Sequence, residues 1–186
     1  MAGEAISTAS ADLAAALLAS TTDPADGVRL LLPLAGWMPP TLPGAGPLAE
    51  LAREVQGAIA SNLRCAACAA LAEAAQLYQP LSYQDALSVR SLVCDALDLE
   101  ATRCADAGRD PSYQALRELR AAVALDLAVR GANLAALVEV RTLVPMPSLA
   151  EAWTLYQDTS REPQLVASAE APHPLFLPLT FAALAE

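Results

Sequence analysis

The chain has 186 residues, enough for one domain with a real core or one domain plus an arm. Hydrophobic residues supply 55% of it but aromatic ones only 4%, with alanine unusually abundant, which predicts small-residue helices stabilised by long interfaces. The net charge is −10 and all eleven basic residues are arginine without a cluster, which argues against a duplex nucleic-acid partner.

In chain order, Ser10 is placed to cap a short helix, Ala11 to Ala19, with Leu13, Leu17 and Leu18 on one side. Asp23 followed by Pro24 marks a second helix start, carrying Val28, Leu31 and Leu32 and failing near Pro33 or Gly36. GWMPPTLPGAGP then has to be extended or turn-like, either a connector that tucks Trp37 into the fold or a contact arm for a neighbouring subunit. The uncharged run Leu30 to Ala49 carries Pro33, Pro39, Pro40, Pro43 and Pro47, so no membrane span is expected. MAGEAISTAS has Glu4 where a secretory leader needs basic residues, which predicts cytosolic synthesis with reduced thiols.

From Pro47 to Tyr78 a long helix is predicted, with Leu48, Leu51, Val55, Ile59 and Leu63 on one face. Ser82 and Asp85 form a capping-box pattern for the next helix, which runs to about Ala107 with Tyr83, Leu87, Cys94, Leu97, Ala101 and Cys104 on one face. Asp95, Asp98 and Glu100 are assigned to its solvated side. Gly108 stops this helix, and Asp110 with Pro111 starts another. Its stripe, Leu116, Leu119, Val123, Leu127, Leu134, Leu137 and Val138, is read as one helix lasting until Pro145. Short loops between long helices imply antiparallel neighbours. The expected fold is all-α: three long antiparallel Ala-rich helices, shorter flanking helices and a Pro-rich extended C-terminal tail. Residues 1–186 are read as one domain, with short helices and connector over 1–46, the long-helix bundle over 47–144, and short helices and tail over 145–186. In this last part, Ser148 with Glu151 is a capping box for a helix through Tyr156, and Ser160 is placed to cap one through about Ala169. The apolar Leu175, Phe176, Leu177 and Phe181 then either pack back on the fold or meet a partner.

No motif points to catalysis. Cys65-Ala-Ala-Cys68 lies within an Ala-rich helix instead of a tight turn, and Cys94 and Cys104 do not complete a zinc-ribbon spacing, so buried structural cysteine is the better account. His173 is the only histidine and stands in a Pro-rich tail without a nucleophile placed near it. There is no phosphate loop, nucleophile elbow or HExxH. The expectation is a non-enzyme with no catalytic, cofactor or metal residues. Arg130 sits beside the Leu134 and Leu137 stripe, either as a snorkelling rim residue or as an intersubunit ion-pair partner.

One set of spacings goes further. Arg130 and Leu134 precede Pro147, Leu149, Ala152, Leu155 and Tyr156, then Asp158, Ser160 and Arg161, Leu165 and Val166, and finally His173, Pro174, Phe176 and Pro178. This pattern resembles the C-terminal region of the DNA circularisation (circulation) proteins of Mu-like tailed phages, most clearly over about the last eighty residues. Gln157 replaces the family's turn glycine, Glu162, Pro163 and Gln164 replace charged positions, and ASAEAP replaces its basic element before His173. The resemblance therefore carries no DNA contact through that element. The family's N-terminal domain has no counterpart here, so the C-terminal domain alone is implied, as an excised piece or a separate gene product.

The resemblance implies a structural virion component of the phage tail or baseplate, made in the host cytoplasm. Its expected partners are other tail or baseplate proteins and further copies of itself, with no direct nucleic-acid contact. The alternative is a helical adaptor for a host or regulatory protein, also without catalysis. Trp37, Arg130, Tyr156, Arg161, His173, Phe176 and Phe181 are the candidate partner-contact residues.

Overall fold

The computed structural model describes residues 2–185. Among these, α1 (Ala2–Ala19), α2 (Pro24–Ala35), α3 (Pro47–Leu77), α4 (Tyr83–Asp106) and α5 (Asp110–Gly131) precede the strand β1 (Leu137–Arg141). Then come α6 (Ser148–Tyr156), a 3-10 turn at Thr159–Arg161, α7 (Glu162–Ser168) and the strand β2 (Thr180–Leu184). The predicted all-α character holds in that the chain is mostly helical, and one two-stranded ladder is the exception.

The start signals were partly sound. Asp23 caps α2 by accepting from the Ala25 N–H at 2.9 Å, with Pro24 in the first turn where its missing donor costs nothing. Pro33 does not end α2, which continues to Ala35. At α4 the Ser82 hydroxyl oxygen accepts from the Asp85 N–H at 3.1 Å, while the Asp85 carboxylate accepts from the Leu81 N–H at 2.9 Å. That is a capping box shifted back by one donor. Ser10 is a correction: α1 begins at Ala2, and the Ser10 hydroxyl donates to the Ile6 carbonyl within the helix.

The chain divides into two compact units. The first comprises the residues up to Gln79 with Leu87–Val129, and the second Pro80–Ala86 with the residues from Arg130 onward. In the first unit one core gathers Ala14, Val28, Leu31, Leu71, Leu97, Leu116, Val123 and Leu127 with Cys68, Cys104 and many alanines. The small residues matter because they let helices approach. A Cβ on Gly27 would lie 3.0 Å from the end of the Leu18 side chain and 3.6 Å from Ala74, so the packing around Gly27 is tight.

The helix predicted to reach Pro145 ends at Gly131. A Cβ on Gly131 would sit 2.8 Å from that of Ala86, so the chain can come this close only without a side chain. Leu137–Arg141 then forms β1 and pairs antiparallel with β2, Leu137 opposite Leu184 and Arg141 opposite Thr180. Leu134, Leu137 and Val138 fit a helical stripe, but LVEVR also alternates with a period of two, and the available partner strand decides between them. The predicted extended tail thus becomes the second strand of its own unit.

The second unit has a separate core of Ala152, Tyr156, Leu165, Ala169, Leu177, Phe181 and Ala183, with Val140, Leu155 and Ala171 packed against it. The Ser148/Glu151 capping box does not form: Pro147 is the cap residue, and the Ser148 hydroxyl donates to Glu162 at 2.6 Å. Ser160 does not cap α7, which starts after Arg161 without a side-chain cap; Asp158 instead caps the preceding 3-10 turn, its carboxylate accepting from the Ser160 N–H at 2.8 Å. The two hydrogen bonds to Ser160 hold its carboxyl below the usual range.

Candidate functional site

Six of the seven predicted contact residues fall in the second unit. Tyr156 and Phe181 are buried in its core. The Tyr156 phenol oxygen accepts from the Leu184 N–H at 3.0 Å, and the Arg161 guanidinium lies 3.9 Å from the Tyr156 ring centroid. Arg161 also donates to Gln164 at 3.2 Å, so these residues brace α6, α7 and β2. His173 is exposed, with its Nδ1 accepting from the Leu175 N–H at 3.1 Å and its ring 6.1 Å from that of Phe176. Phe176 and Leu175 project into solvent on this turn. Arg130 is half-buried in the last turn of α5.

Trp37 lies in the first unit. Its carbonyl accepts from Arg64 at 3.3 Å, and its ring helps line an open apolar groove of about 420 Å³ with Leu48, Leu51, Ala52, Val55, Gln56 and Ile59. Arg53 donates to the Gly44 carbonyl and Gln56 to the Pro40 carbonyl, both at 3.0 Å, which ties the Pro/Gly connector to α3. The groove wall is free of charge.

The most concentrated polar chemistry lies around Glu100, which is fully buried and not on a solvated face as predicted. Its carboxylate accepts from Arg64 Nε at 2.5 Å and Nη2 at 3.3 Å, from Ser61 Oγ at 3.1 Å and from Arg103 Nη1 at 3.4 Å. Arg109 donates to Ser61 and closes the network. Asp98, by contrast, is half-exposed and pairs with Arg120 at 2.9 Å. A signal for the buried pair was available. Arg64 stands in the row Ala60, Ala67, Leu71 of α3, and Glu100 in the row Val93, Leu97, Cys104 of α4, so each charge occupies a place on a core stripe.

Cys65, Glu100 and Cys104 bring their ligand atoms within 4.8 Å of one another, the one group of metal-capable side chains found among the described residues. The two sulfurs lie 3.8 and 3.9 Å from the carboxylate. Burial, then the neighbouring Cys104 and Glu100, pushes the Cys65 thiol up to about 12; burial and Glu100 do the same to Cys68. Nucleophilic attack uses the free thiolate, which burial disfavours at Cys65 and Cys68. A cation would have to take Glu100 from Arg64 while facing two further arginines. The donor set fits a satisfied ion pair better than a metal centre. Cys94 stands apart from it, with Arg120 and Asp98 among its charged neighbours.

No helix among the described residues is long and apolar enough to cross a membrane. Compared with protein-family models and with curated proteins, the chain matches none.

Proposed function

We propose that this chain is a structural component of a Mu-like phage tail or baseplate, acting through protein contacts and not through catalysis. One observation carries the reading: five of the spaced residues, Pro147, Tyr156, Asp158, Arg161 and Leu165, serve as framework, while His173 and Phe176 are exposed. Pro147 opens α6, Tyr156 binds the backbone of β2, Arg161 stacks on Tyr156, Asp158 caps the following turn, and Leu165 fills the core. Caps, a stack and a core residue drawn from one spacing suit a building block. The same unit offers Leu175 and Phe176 to a neighbour.

The partners in this reading are other tail or baseplate proteins and further copies of the chain, in the virion tail after synthesis in the host cytoplasm. Nucleic acid is not a direct partner of so acidic and lysine-free a chain. The reading includes an antiparallel arrangement of α3, α4 and α5 as a three-helix bundle. It is supported by Ser61 and Arg64 meeting Glu100, and by Asp98 meeting Arg120 across the α4–α5 turn. Mass spectrometry and immuno-electron microscopy of purified particles provide the test. The chain is expected at the tail or baseplate, and its absence from tailed particles would sink the proposal.

A further inference from the structure

The first thirteen residues of α3, Pro47–Ile59, contain no buried residue, whereas the buried ones begin at Ala60 and recur to Ala75. Yet this stretch is not polar. Leu48, Leu51, Val55 and Ile59 recur at helical spacing and are 81, 56, 49 and 41% exposed, with Trp37, 39% exposed, at their side. Glu50, Arg53 and Glu54 take the remaining faces. Continuity with the buried half of α3 and the Arg53 and Gln56 bonds to the connector hold this segment helical, yet its apolar stripe is left in water.

We propose that the stripe is covered by the same stripe of a second copy of this chain, the two α3 segments lying antiparallel about a two-fold axis. The chemistry of the groove limits the occupant. It is lined by aliphatic side chains, Trp37 and Gln56 and carries no charge, so neither an acidic nor a basic surface finds a counter-charge there. A second copy presents a matching uncharged row over the same three turns, and a two-fold pairing satisfies both copies at once. The antiparallel direction places Leu48 opposite Ile59 of the other copy, with Ala52 and Val55 near the axis, where the small alanine admits close approach.

The area decides the strength of the association. With about 100 Å² for a fully exposed large apolar side chain, each stripe offers on the order of 300 Å² and the pair about 600 Å². The polar rim raises the total toward the ~1,000 Å² that separates weak specific dimers from accidental contacts. The dimer is therefore weak and concentration-dependent. Regular spacing along one helix is the signature of helix-on-helix contact.

This inference rests on the chain being an assembly component, and the two readings fail separately. Sedimentation velocity on the full chain, from about 1 µM to about 500 µM, is expected to show a monomer–dimer equilibrium. Val55→Glu should weaken association at least tenfold and Leu51→Ala less, with helicity by circular dichroism unchanged in both. Val55→Cys should cross-link to itself with a short bis-maleimide, above the background of the unsubstituted chain. Leu48→Cys should not, because its two copies lie about 17 Å apart along the antiparallel axis. A monomer throughout the concentration range, or a dimer indifferent to Val55→Glu, overturns the proposal and leaves the groove to a different protein. Efficient self-cross-linking at Leu48→Cys overturns the antiparallel geometry. A monomeric chain found in particles would sink this inference alone, and a dimer absent from particles would sink the particle reading alone.

Discussion

The two halves of α3 share one helix and one apolar periodicity, yet they have opposite fates. Pro47–Ile59 carries larger aliphatics and exposes them, whereas the buried face of Ala60–Leu77 is mostly alanine with Cys68 and Leu71. Periodicity therefore reports that a stretch is helical and which face is apolar, but not whether a neighbour reaches that face. Side-chain size helps explain the difference. Alanine and cysteine let other helices come close enough to exclude water, and the contact runs along several turns. On Pro47–Ile59 the larger side chains line an open groove instead.

The comparison is broken most forcefully at the buried pair. Glu100→Ala leaves Arg64 uncompensated within the core of the first unit and should cost about 3–5 kcal/mol. Replacing both members, Arg64→Met with Glu100→Leu, should recover most of that loss. Urea unfolding followed by Trp37 fluorescence in a Trp153→Phe background reports the first unit by itself, since Trp37 and Trp153 are the only tryptophans. A double variant as unstable as Glu100→Ala would show that the network does more than neutralise a charge.

Next in size is Leu71→Ala, which opens a cavity at a fully buried position and should cost about 2–5 kcal/mol in the same unfolding assay. Equal costs for Leu71→Ala and Leu51→Ala below the association concentration would abolish the distinction between the halves. Cys68 gives a pH-dependent version of the test. Its folded pKa, about 12, lies above the ordinary value of 9.0, so below pH 9 both states hold the proton and stability is flat. Between pH 9 and about 12 the unfolded chain loses the proton while the folded one keeps it, so stability falls by about 1.4 kcal/mol per pH unit from this thiol. Denaturant titrations at pH 8.5 and 10.5 should show this fall, and Cys68→Ala should reduce the slope. Smallest of all, Leu51→Ala in the monomer should shift stability by less than about 0.5 kcal/mol, because the side chain faces solvent.

Particular residues show where legibility ended. Asp23-Pro24 and Gly108 were readable because caps and stops act over a few residues, and the structure agrees closely at those ends. Ser10 and Ser148 carried the same chemistry but sit inside or at the edge of helices begun elsewhere, so a capping residue marks an opportunity and not a boundary. LVEVR was ambiguous because five residues satisfy either period, and its strand state depends on Thr180–Leu184, some forty residues away. Glu100 is expected with Asp95 and Asp98 on the solvated side of its helix, but it shares the stripe of Val93, Leu97 and Cys104 and is buried. Tyr156 is a candidate contact through the resemblance and Phe181 through the apolar tail, and the fold places both in a core.

By itself the sequence determined the helical character, most starts and stops, the apolar faces and the spacing from Pro147 to Pro178, because each depends on neighbours within a few turns. Only the tertiary structure decided which apolar faces are covered, where α5 gives way to a strand, and that Arg64 and Glu100 meet in a core. Those outcomes depend on residues far apart in the chain arriving at the same place, and local pattern carries no distance between them.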